Sequence, residues 1–204
     1  MFFKNALVYS ADFTFRRGGF GAEDGRFVHV GEERADAVDL HGARVIPGLV
    51  DVHTHGNSGA DFSDGERDGL IRMARYEAEN GITSFAPTSV TLPYDRLDKA
   101  FKTGMRVKRE AHTGAARIMG INMEGPFFSE KRKGAQNAEY LRKPDFAAFE
   151  KLYNGCDGLV RIVDIAPELD GAEEFIGKAS KLCTVSIAHT DCDYDTARRA
   201  IDAG

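Results

Sequence analysis

The chain lacks several features that would assign it to a specialised class of protein. Its three cysteines, Cys156, Cys183 and Cys192, are odd in number and have no paired CxxC spacing, which argues against a disulfide framework and a zinc ribbon. No apolar run is long enough to cross a bilayer. The N-terminus has no charged segment followed by a long apolar core, as a secretory signal would. We therefore expect a soluble, cytoplasmic protein with reduced thiols.

Charge of one sign is not concentrated in any part of the sequence either. The 27 basic and 32 acidic residues are interspersed and give a formal net charge of -5, so neither nucleic acid nor a membrane surface is an expected partner. The chain has no low-complexity segment and no tandem repeat. Its 204 residues are 42% hydrophobic, which is enough for a sizeable core in one large domain or two small ones.

Residues 1–44 have the pattern of a small β unit. The strand-like segments are Ala6–Tyr9, Phe13–Phe15 and Phe27–Val30, and the turn signals are Arg17-Gly18-Gly19 and Glu23-Asp24-Gly25. Such a unit is too short to bury a core alone. We therefore treat residues 1–44 as one domain and residues 45–204 as a second.

From residue 45 onward, strand-like and helix-like segments alternate. The predicted strands are Val45–Val52, Ile82–Val90, Arg117–Met123, Val160–Ala166 and Thr184–Ala188. The predicted helices are Glu66–Asn80, a segment opening at Pro93, one from about Pro144, Ala172–Leu182 and one capped by Asp193. This alternation implies a parallel sheet with right-handed crossovers. It favours an α/β fold of the (β/α) barrel type over a doubly wound sheet.

The most informative segment of the sequence contains two histidines separated by one residue. Val-Ile-Pro-Gly-Leu-Val-Asp-Val-His-Thr-His-Gly occupies residues 45–56. Side chains alternate faces in a strand, so His53 and His55 point the same way. Two imidazoles on one side of a strand end form half of a zinc-type site. The alternative is a hydrogen-bonded pair of core histidines.

Two more candidate ligands end other strands of the predicted barrel. Glu124 ends the third strand and His189 ends the fifth, and in a (β/α) barrel the carboxyl ends of the strands form one face. With His53 and His55 they supply three imidazoles and one carboxylate, which suit one or two divalent ions, Zn²⁺ first and otherwise Fe²⁺, Mn²⁺ or Co²⁺. Such an ion acidifies water and polarises carbonyl oxygens. Alternatively, Glu124 is a capping or salt-bridged acid and His189 a core histidine.

Asp51 and the run Lys131-Arg132-Lys133 have two open interpretations each. Asp51 shares the face of His53 and His55, where it either orients a metal ligand or makes a structural hydrogen bond. The basic run either binds phosphate or belongs to a solvated loop. We do not include it in the predicted site.

These motifs, taken together, resemble those of a known family. Residues 47–56 resemble the first-strand signature of the amidohydrolase superfamily. Residues 123–127 and 131–137 are similar to segments of the N-acetylglucosamine-6-phosphate deacetylases, and residues 188–191 resemble their fifth-strand metal-histidine motif. The resemblance covers essentially the whole chain in order. It implies a TIM-like (β/α) barrel of the amidohydrolase type and a small β-sandwich that includes residues 1–44.

The resemblance also implies an activity and a division of the ligands. The family hydrolyses the acetamide of N-acetylglucosamine 6-phosphate to glucosamine 6-phosphate and acetate, in amino-sugar catabolism. Glu124 and His189 correspond to ligands of its main metal, and His53 and His55 to ligands of a second metal that some members lack. The expected partners are a small phosphorylated amino sugar and, for the full-length protein, a second subunit in a homodimer.

Ala135 and Gln136 match the positions that contact the sugar. Many relatives have histidine where this chain has Gln136, and an amide cannot become cationic as a histidine ring can. Other amidohydrolases remain as alternatives: an N-acetylgalactosamine-6-phosphate deacetylase, an N-acyl-amino-acid hydrolase or a dihydroorotase-like ring opener. The last commonly uses a carboxylated lysine on the fourth strand, which here ends in Ile-Ala-Pro-Glu without lysine. A non-catalytic barrel is an alternative of another class.

We also expect this barrel to be incomplete. A closed barrel needs eight βα units and typically about 250 residues, whereas the pattern contains only about five units after residue 44. The resemblance implies that another metal histidine, the general-base aspartate and most phosphate contacts lie beyond Gly204. We therefore assign no catalytic base within these residues and expect a longer natural chain, or a fragment that is unstable and inactive alone.

Overall fold

A computed structural model describes residues 1–23, 26–32 and 34–204. It divides the chain into two units, Met1–Gly48 and Leu49–Gly204. The division falls later than the boundary expected after residue 44, because Arg44–Val45 forms a strand that pairs with the first strand of the N-terminal unit.

The N-terminal unit is built on a five-stranded mixed sheet. Its strands are β1 (Phe2–Tyr9), β2 (Phe15–Glu23), β3 (Arg26–Val28), β4 (Val38–Asp39) and β5 (Arg44–Val45). β1 pairs antiparallel with β2 and parallel with β4 and β5, and β2 pairs antiparallel with β3. Ala6 and Phe20 are buried, and the ring of Phe3 stacks on that of Phe20 at 4.9 Å. Aromatic packing therefore supports this small sheet.

The turn predicted at the first glycine-rich segment of this unit is wrong. Arg17-Gly18-Gly19 lies inside β2 rather than in a turn. A Cβ at Gly19 would lie 2.5 Å from the Phe3 carbonyl oxygen, so glycine serves close backbone approach within the sheet. The predicted strand Phe13–Phe15 is wrong at Phe13, whose φ is +63°. Of the second turn signal, Asp24 and Gly25 lie outside the described residues.

The C-terminal unit contains a parallel sheet whose strands follow in chain order. They are β6 (Leu49–Thr54), β9 (Ile82–Ser89), β10 (Arg117–Ile118), β11 (Ile121–Phe127), β12 (Val160–Ile165) and β13 (Thr184–Ile187), and a small antiparallel hairpin contributes β7 (Gly56–Asn57) and β8 (Ala60–Asp61). β10 and β11 both pair with β9 and form the predicted third strand in two pieces. All pairings in this sheet are parallel, which confirms the α/β barrel-type fold with five βα units.

Four helices connect these strands, and a fifth follows the last one. They are α1 (Arg67–Glu79), α2 (Tyr94–Glu110), α3 (Phe146–Gly155), α4 (Ala172–Ala179) and α5 (Tyr194–Ala203), with short 3₁₀ turns at Phe62–Asp64, Glu130–Arg132 and Ala138–Tyr140. α1 buries Leu70, Met73 and Ala74, a spacing that gives a helix one apolar face. Asp193 accepts a hydrogen bond from the Thr196 N–H at 2.8 Å, which caps α5 as predicted.

The first barrel strand starts later than predicted. Val45 pairs with Val8 in the N-terminal sheet, and the chain enters β6 only at Leu49, after Pro47 and Gly48. Proline cannot donate to a strand ladder, so the dipeptide separates two strands that the sequence pattern had joined. His53 consequently lies within β6, and His55 follows immediately after its end.

Large aromatic side chains dominate the core of the C-terminal unit. The fully buried ones are Phe62, Phe85, Phe101, Phe127, Phe149 and Phe175. Burial of one such side chain contributes roughly 1.5–3 kcal/mol, so the sheet and helices hold the strand ends in place. Within the described residues, no helix is both long and apolar enough to span a membrane.

Candidate metal centre

The carboxyl ends of three barrel strands bring the predicted ligands together. β9 lies between β6 and β11, with Thr54 opposite Pro87 and Asn122 opposite Thr88. Because all these strands run parallel, their carboxyl ends lie along one edge. His53 reaches this edge from β6 and His55 from just beyond it. Glu124 reaches it from within β11, which continues to Phe127, so the prediction that Glu124 ends the strand is wrong.

Three of the four predicted ligands form a close group. His55 Nε2 lies 2.9 Å from Glu124 Oε2, and His53 Nε2 lies 3.7 Å from Glu124 Oε1. The ligand atoms of His53, His55 and Glu124 all lie within 4.8 Å of one another. The rings of the two histidines are 5.2 Å apart and nearly perpendicular. A strand end thus presents two imidazoles to one buried carboxylate.

His189 contacts the same carboxylate through Oε1, the oxygen that His53 also faces. It follows β13, and its Nε2 lies 2.8 Å from Glu124 Oε1. Its Nδ1 lies 3.0 Å from the Arg132 carbonyl oxygen. The group of mutually close ligand atoms contains the other three residues, so His189 joins the site through Glu124.

The electrostatics of the site centre on Glu124, whose side chain is only 7% exposed. Burial by itself raises the pKa of this carboxyl, but hydrogen bonds from His55 and His189 outweigh it and lower the pKa to about 2. The hydrogen bond to Glu124 in turn raises the pKa of His55. Glu124 is therefore an anion at neutral pH.

The donor set fits a divalent cation. His55 Nδ1 lies 3.1 Å from the Thr88 carbonyl oxygen and His189 Nδ1 lies 3.0 Å from that of Arg132. A carbonyl only accepts, so each Nδ1 must carry the proton. A ring that also donates to Glu124 through Nε2 is then a cationic imidazolium, whereas in a neutral ring the Nε2 lone pair faces the Glu124 carboxylate. A cation between these atoms would satisfy both imidazoles and the carboxylate, and carbonyl-oriented histidines are usual at metal sites.

Asp51 and the basic run make contacts that suggest local roles. Asp51 Oδ1 accepts the His53 backbone N–H at 2.9 Å, which supports the structural interpretation of this acid. Lys131 and Arg132 both pair with Asp191, while Lys133 Nζ donates to the Gln136 carbonyl oxygen at 3.0 Å. All three cations are thus engaged by the chain itself, which favours the loop interpretation over phosphate binding.

Ala135 and Gln136 line an open cleft of about 480 Å³ beside His55, together with Thr91 and Arg96. Gln136 is buried, and its Nε2 donates to Glu124 Oε2 at 3.0 Å. Its Oε1 accepts from the Thr91 backbone N–H at 2.7 Å. The Gln136 amide therefore orients Glu124 directly.

Two polar residues of the site were missed in the sequence. Asp164 is buried on β12; burial, with the charge of Glu124, raises its pKa to about 6, although a hydrogen bond from Ser186 opposes the shift. Asn122 Nδ2 donates to the Val52 carbonyl oxygen at 3.2 Å and lies 3.5 Å from His53 Nδ1. An acid in the apolar run Val-Asp-Ile was the available signal for Asp164.

Comparisons with known proteins agree with this geometry. The model of the amidohydrolase family matches residues 44–186. The N-acetylglucosamine-6-phosphate deacetylase of Vibrio furnissii is 35% identical over 175 residues, covering 85% of this chain and 44% of that protein. The N-acetylgalactosamine-6-phosphate deacetylase of Escherichia coli O157:H7 is 32% identical over 163 residues, covering 78% and 42%. The chain thus spans less than half the length of these two relatives.

Solved structures give the same result. The crystal structure of N-acetyl-D-glucosamine-6-phosphate deacetylase from Mycobacterium smegmatis matches with a TM-score of 0.89 and 32% identity, covering 100% of this chain and 54% of that one. A mutant of that enzyme in complex with N-acetyl-D-glucosamine-6-phosphate matches with the same TM-score and identity, covering 100% and 53%. Parallel βα units, candidate metal ligands near strand ends and a family match over residues 44–186 lead to one conclusion: the chain belongs to the amidohydrolase family.

Proposed function

We propose that the full-length protein hydrolyses the acetamide of N-acetylglucosamine 6-phosphate, giving glucosamine 6-phosphate and acetate in amino-sugar catabolism. The observation that carries this proposal is the buried Glu124 carboxylate, which His55 and His189 contact at 2.9 and 2.8 Å. The Vibrio furnissii and Mycobacterium smegmatis relatives carry this activity in their names, and the latter was solved with that sugar phosphate.

In this proposal His53, His55, Glu124 and His189 hold one or two divalent ions, with zinc first because imidazole and carboxylate donors suit it. A bound ion would supply Lewis acidity toward the acetamide carbonyl and would acidify water. Glu124 contributes the negative charge, since its pKa of about 2 keeps it ionised. The carbonyl partners of His55 and His189 fix which ring nitrogen faces the ion.

Substrate binding is assigned to the cleft beside His55. Ala135 and Gln136 line it, and they are the positions that match sugar contacts in the family. Both ends of the Gln136 side-chain amide make hydrogen bonds: Nε2 donates to Glu124, and Oε1 accepts from the Thr91 N–H. A sugar that contacts this amide would therefore lie directly against the carboxylate. No general base is assigned to the residues of this chain.

The Escherichia coli O157:H7 relative makes the galactosamine epimer a second candidate substrate. The two sugars differ in configuration at one carbon. The cleft residues named above favour neither epimer. The proposal also includes a cytoplasmic location, a homodimer of the full-length protein, and the division into residues 1–44 of a β-sandwich and 45–204 of the catalytic barrel.

Acetate release by the metal-replete full-length protein tests the proposal. The substrates are N-acetylglucosamine and N-acetylgalactosamine, each with and without the 6-phosphate. We expect turnover of a phosphorylated sugar and its loss in Glu124→Gln. Glu174→Gln is the matched control, because Glu174 is an exposed acid paired with Lys178 at 2.6 Å. Wild-type activity in Glu124→Gln, or hydrolysis of none of the four sugars, would contradict the proposal.

A further inference from the structure

His189 has an unusual backbone conformation for a residue with a side chain. Its φ is +47°, in the left-handed region that costs free energy for residues other than glycine. Such a conformation persists only when the surroundings hold it. His189 lies two residues beyond the end of β13, so neighbouring segments must supply the restraint.

The loop after β11 supplies part of it. The Ser129 N–H donates to the His189 carbonyl oxygen at 3.1 Å, and His189 Nδ1 reaches the Arg132 carbonyl oxygen at 3.0 Å. The Phe128 ring lies 4.4 Å from the imidazole. A Cβ on Gly134 would lie 3.5 Å from His189 Cε1. Both the backbone and the ring of His189 are therefore enclosed by residues 128–134.

Asp191 holds that loop in place. Its carboxylate pairs with Lys131 and, at 2.6 Å, with Arg132 Nε. Its own backbone N–H donates to Glu168 Oε1 at 2.7 Å, and the Thr190 hydroxyl donates to the same carboxylate. Glu168 thus fixes the segment that follows His189, and Asp191 fastens the loop to that segment.

We infer that Asp191 is a positioning residue that keeps His189 in its ligand orientation by fixing the Arg132 carbonyl against Nδ1. Exposed ion pairs by themselves contribute little to stability. This pair acts differently, because the side chain of Arg132 is anchored while its carbonyl selects the protonated ring nitrogen. The inference rests on the proposed metal centre.

Cobalt binding to the metal-stripped full-length protein tests this inference. Co²⁺ would be titrated into wild type and Asp191→Asn, with affinity and visible absorption spectrum recorded. We expect affinity to fall about tenfold or more, as for loss of a partner that orients a metal-bound histidine. Asp191→Glu should restore part of it. Asp170→Asn is the matched control, since Asp170 is an exposed acid paired with Lys143 at 3.1 Å, and it should bind as wild type does.

A double variant tests the route through His189. If Asp191 acts by positioning this ring, Asp191→Asn should weaken Co²⁺ binding no further in a His189→Gln background. If Asp191→Asn weakened Co²⁺ binding as much in the His189→Gln background as it does in wild type, the inference would be overturned. If Asp191→Asn fails to fold, the variant with both Lys131→Gln and Arg132→Gln removes the same ion pairs from the loop side. The same loss of affinity is expected, and wild-type affinity would overturn the inference.

The outcomes separate the inference from the proposed function. A wild-type protein that binds no Co²⁺ would contradict the metal centre itself. Binding that weakens in His189→Gln but stays unchanged in Asp191→Asn would leave the metal centre intact and remove Asp191 from it.

Discussion

The ends of β13 and β6 contribute histidines to one carboxylate in different ways. At the end of β13, His189 has both ring nitrogens in contact with acceptors, at 3.0 and 2.8 Å, and a left-handed backbone. Within β6, His53 Nε2 stays 3.7 Å from Glu124, and its side chain is 48% exposed. His55 is intermediate, with two close contacts but an ordinary backbone.

This difference shows that equal residue types at strand ends need not be equally prepared for a ligand. Restraint of both nitrogens and of the backbone reduces the reorganisation that binding requires. The contacts of His189 with Glu124 and Arg132 therefore fix its orientation, whereas the His53 ring is held less firmly. The predictions below test whether the two strand ends differ in function as they do in structure.

Glu124→Gln should abolish the proposed activity, because it removes the charge that both strand ends share. We expect kcat/KM to fall by more than the roughly 100-fold typical of losing an outer partner of a metal ligand. Steady-state kinetics on metal-replete protein measure this. A fall of less than tenfold would mean that the carboxylate is not central.

His189→Gln should weaken metal affinity at least about tenfold more than His53→Gln, since the better restrained ligand contributes more. Competition titrations against a chelator measure both affinities on the full-length protein. Equal losses would show that the observed restraint has no bearing on binding, and the contrast between β13 and β6 would be without functional meaning.

Asp164→Asn should stabilise the metal-free protein at neutral pH. Burial raises the pKa of Asp164 from 3.8 to about 6, so the folded protein favours the protonated carboxyl. The stability that this carboxyl contributes is fully present below pH 3.8 and is lost as the pH rises through 6. The loss is on the order of 3 kcal/mol at one pKa unit per 1.36 kcal/mol. Urea unfolding of both proteins at pH 4 and pH 7.5, with a chelator, should show the variant's advantage only at the higher pH. An equal difference at both pH values would refute the assignment.

Asp51→Asn should have the smallest effect. Asp51 accepts the His53 backbone N–H at 2.9 Å, and an asparagine oxygen accepts equally well. We expect the free energy of unfolding to change by no more than about 1 kcal/mol and metal affinity to stay within threefold of wild type. Thermal melts and the same chelator titrations measure the two quantities. A large loss of affinity would instead make Asp51 a partner of the metal ligands.

Much of the fold was readable from the sequence because periodicity reflects local geometry. The alternation around His53 and His55 predicted a strand, and the helix at Asp193 followed from its cap. The family match confirmed the resemblance drawn from these motifs. The boundary at Pro47 was missed because only residues 46–48 separate the two strands, and apolar residues flank them on both sides.

The arrangement around His189 was beyond sequence reasoning for a physical reason. Its contact with Arg132 joins residues 57 positions apart, and such pairing depends on the packing of the whole sheet. The φ of His189 likewise follows from tertiary restraint rather than residue preference. Asp164 was overlooked because it occupies a single position in an otherwise apolar strand.

Anomalous X-ray diffraction from crystals of the full-length protein grown with zinc, recorded at the zinc edge, tests the metal centre most directly. We expect a peak about 2.0–2.2 Å from a carboxylate oxygen of Glu124 and from Nε2 of His189. A second, weaker peak near His53 and His55 would agree with the longer contact and greater exposure of His53. No anomalous density within reach of Glu124, in a protein that hydrolyses the sugar phosphate, would contradict the site described above.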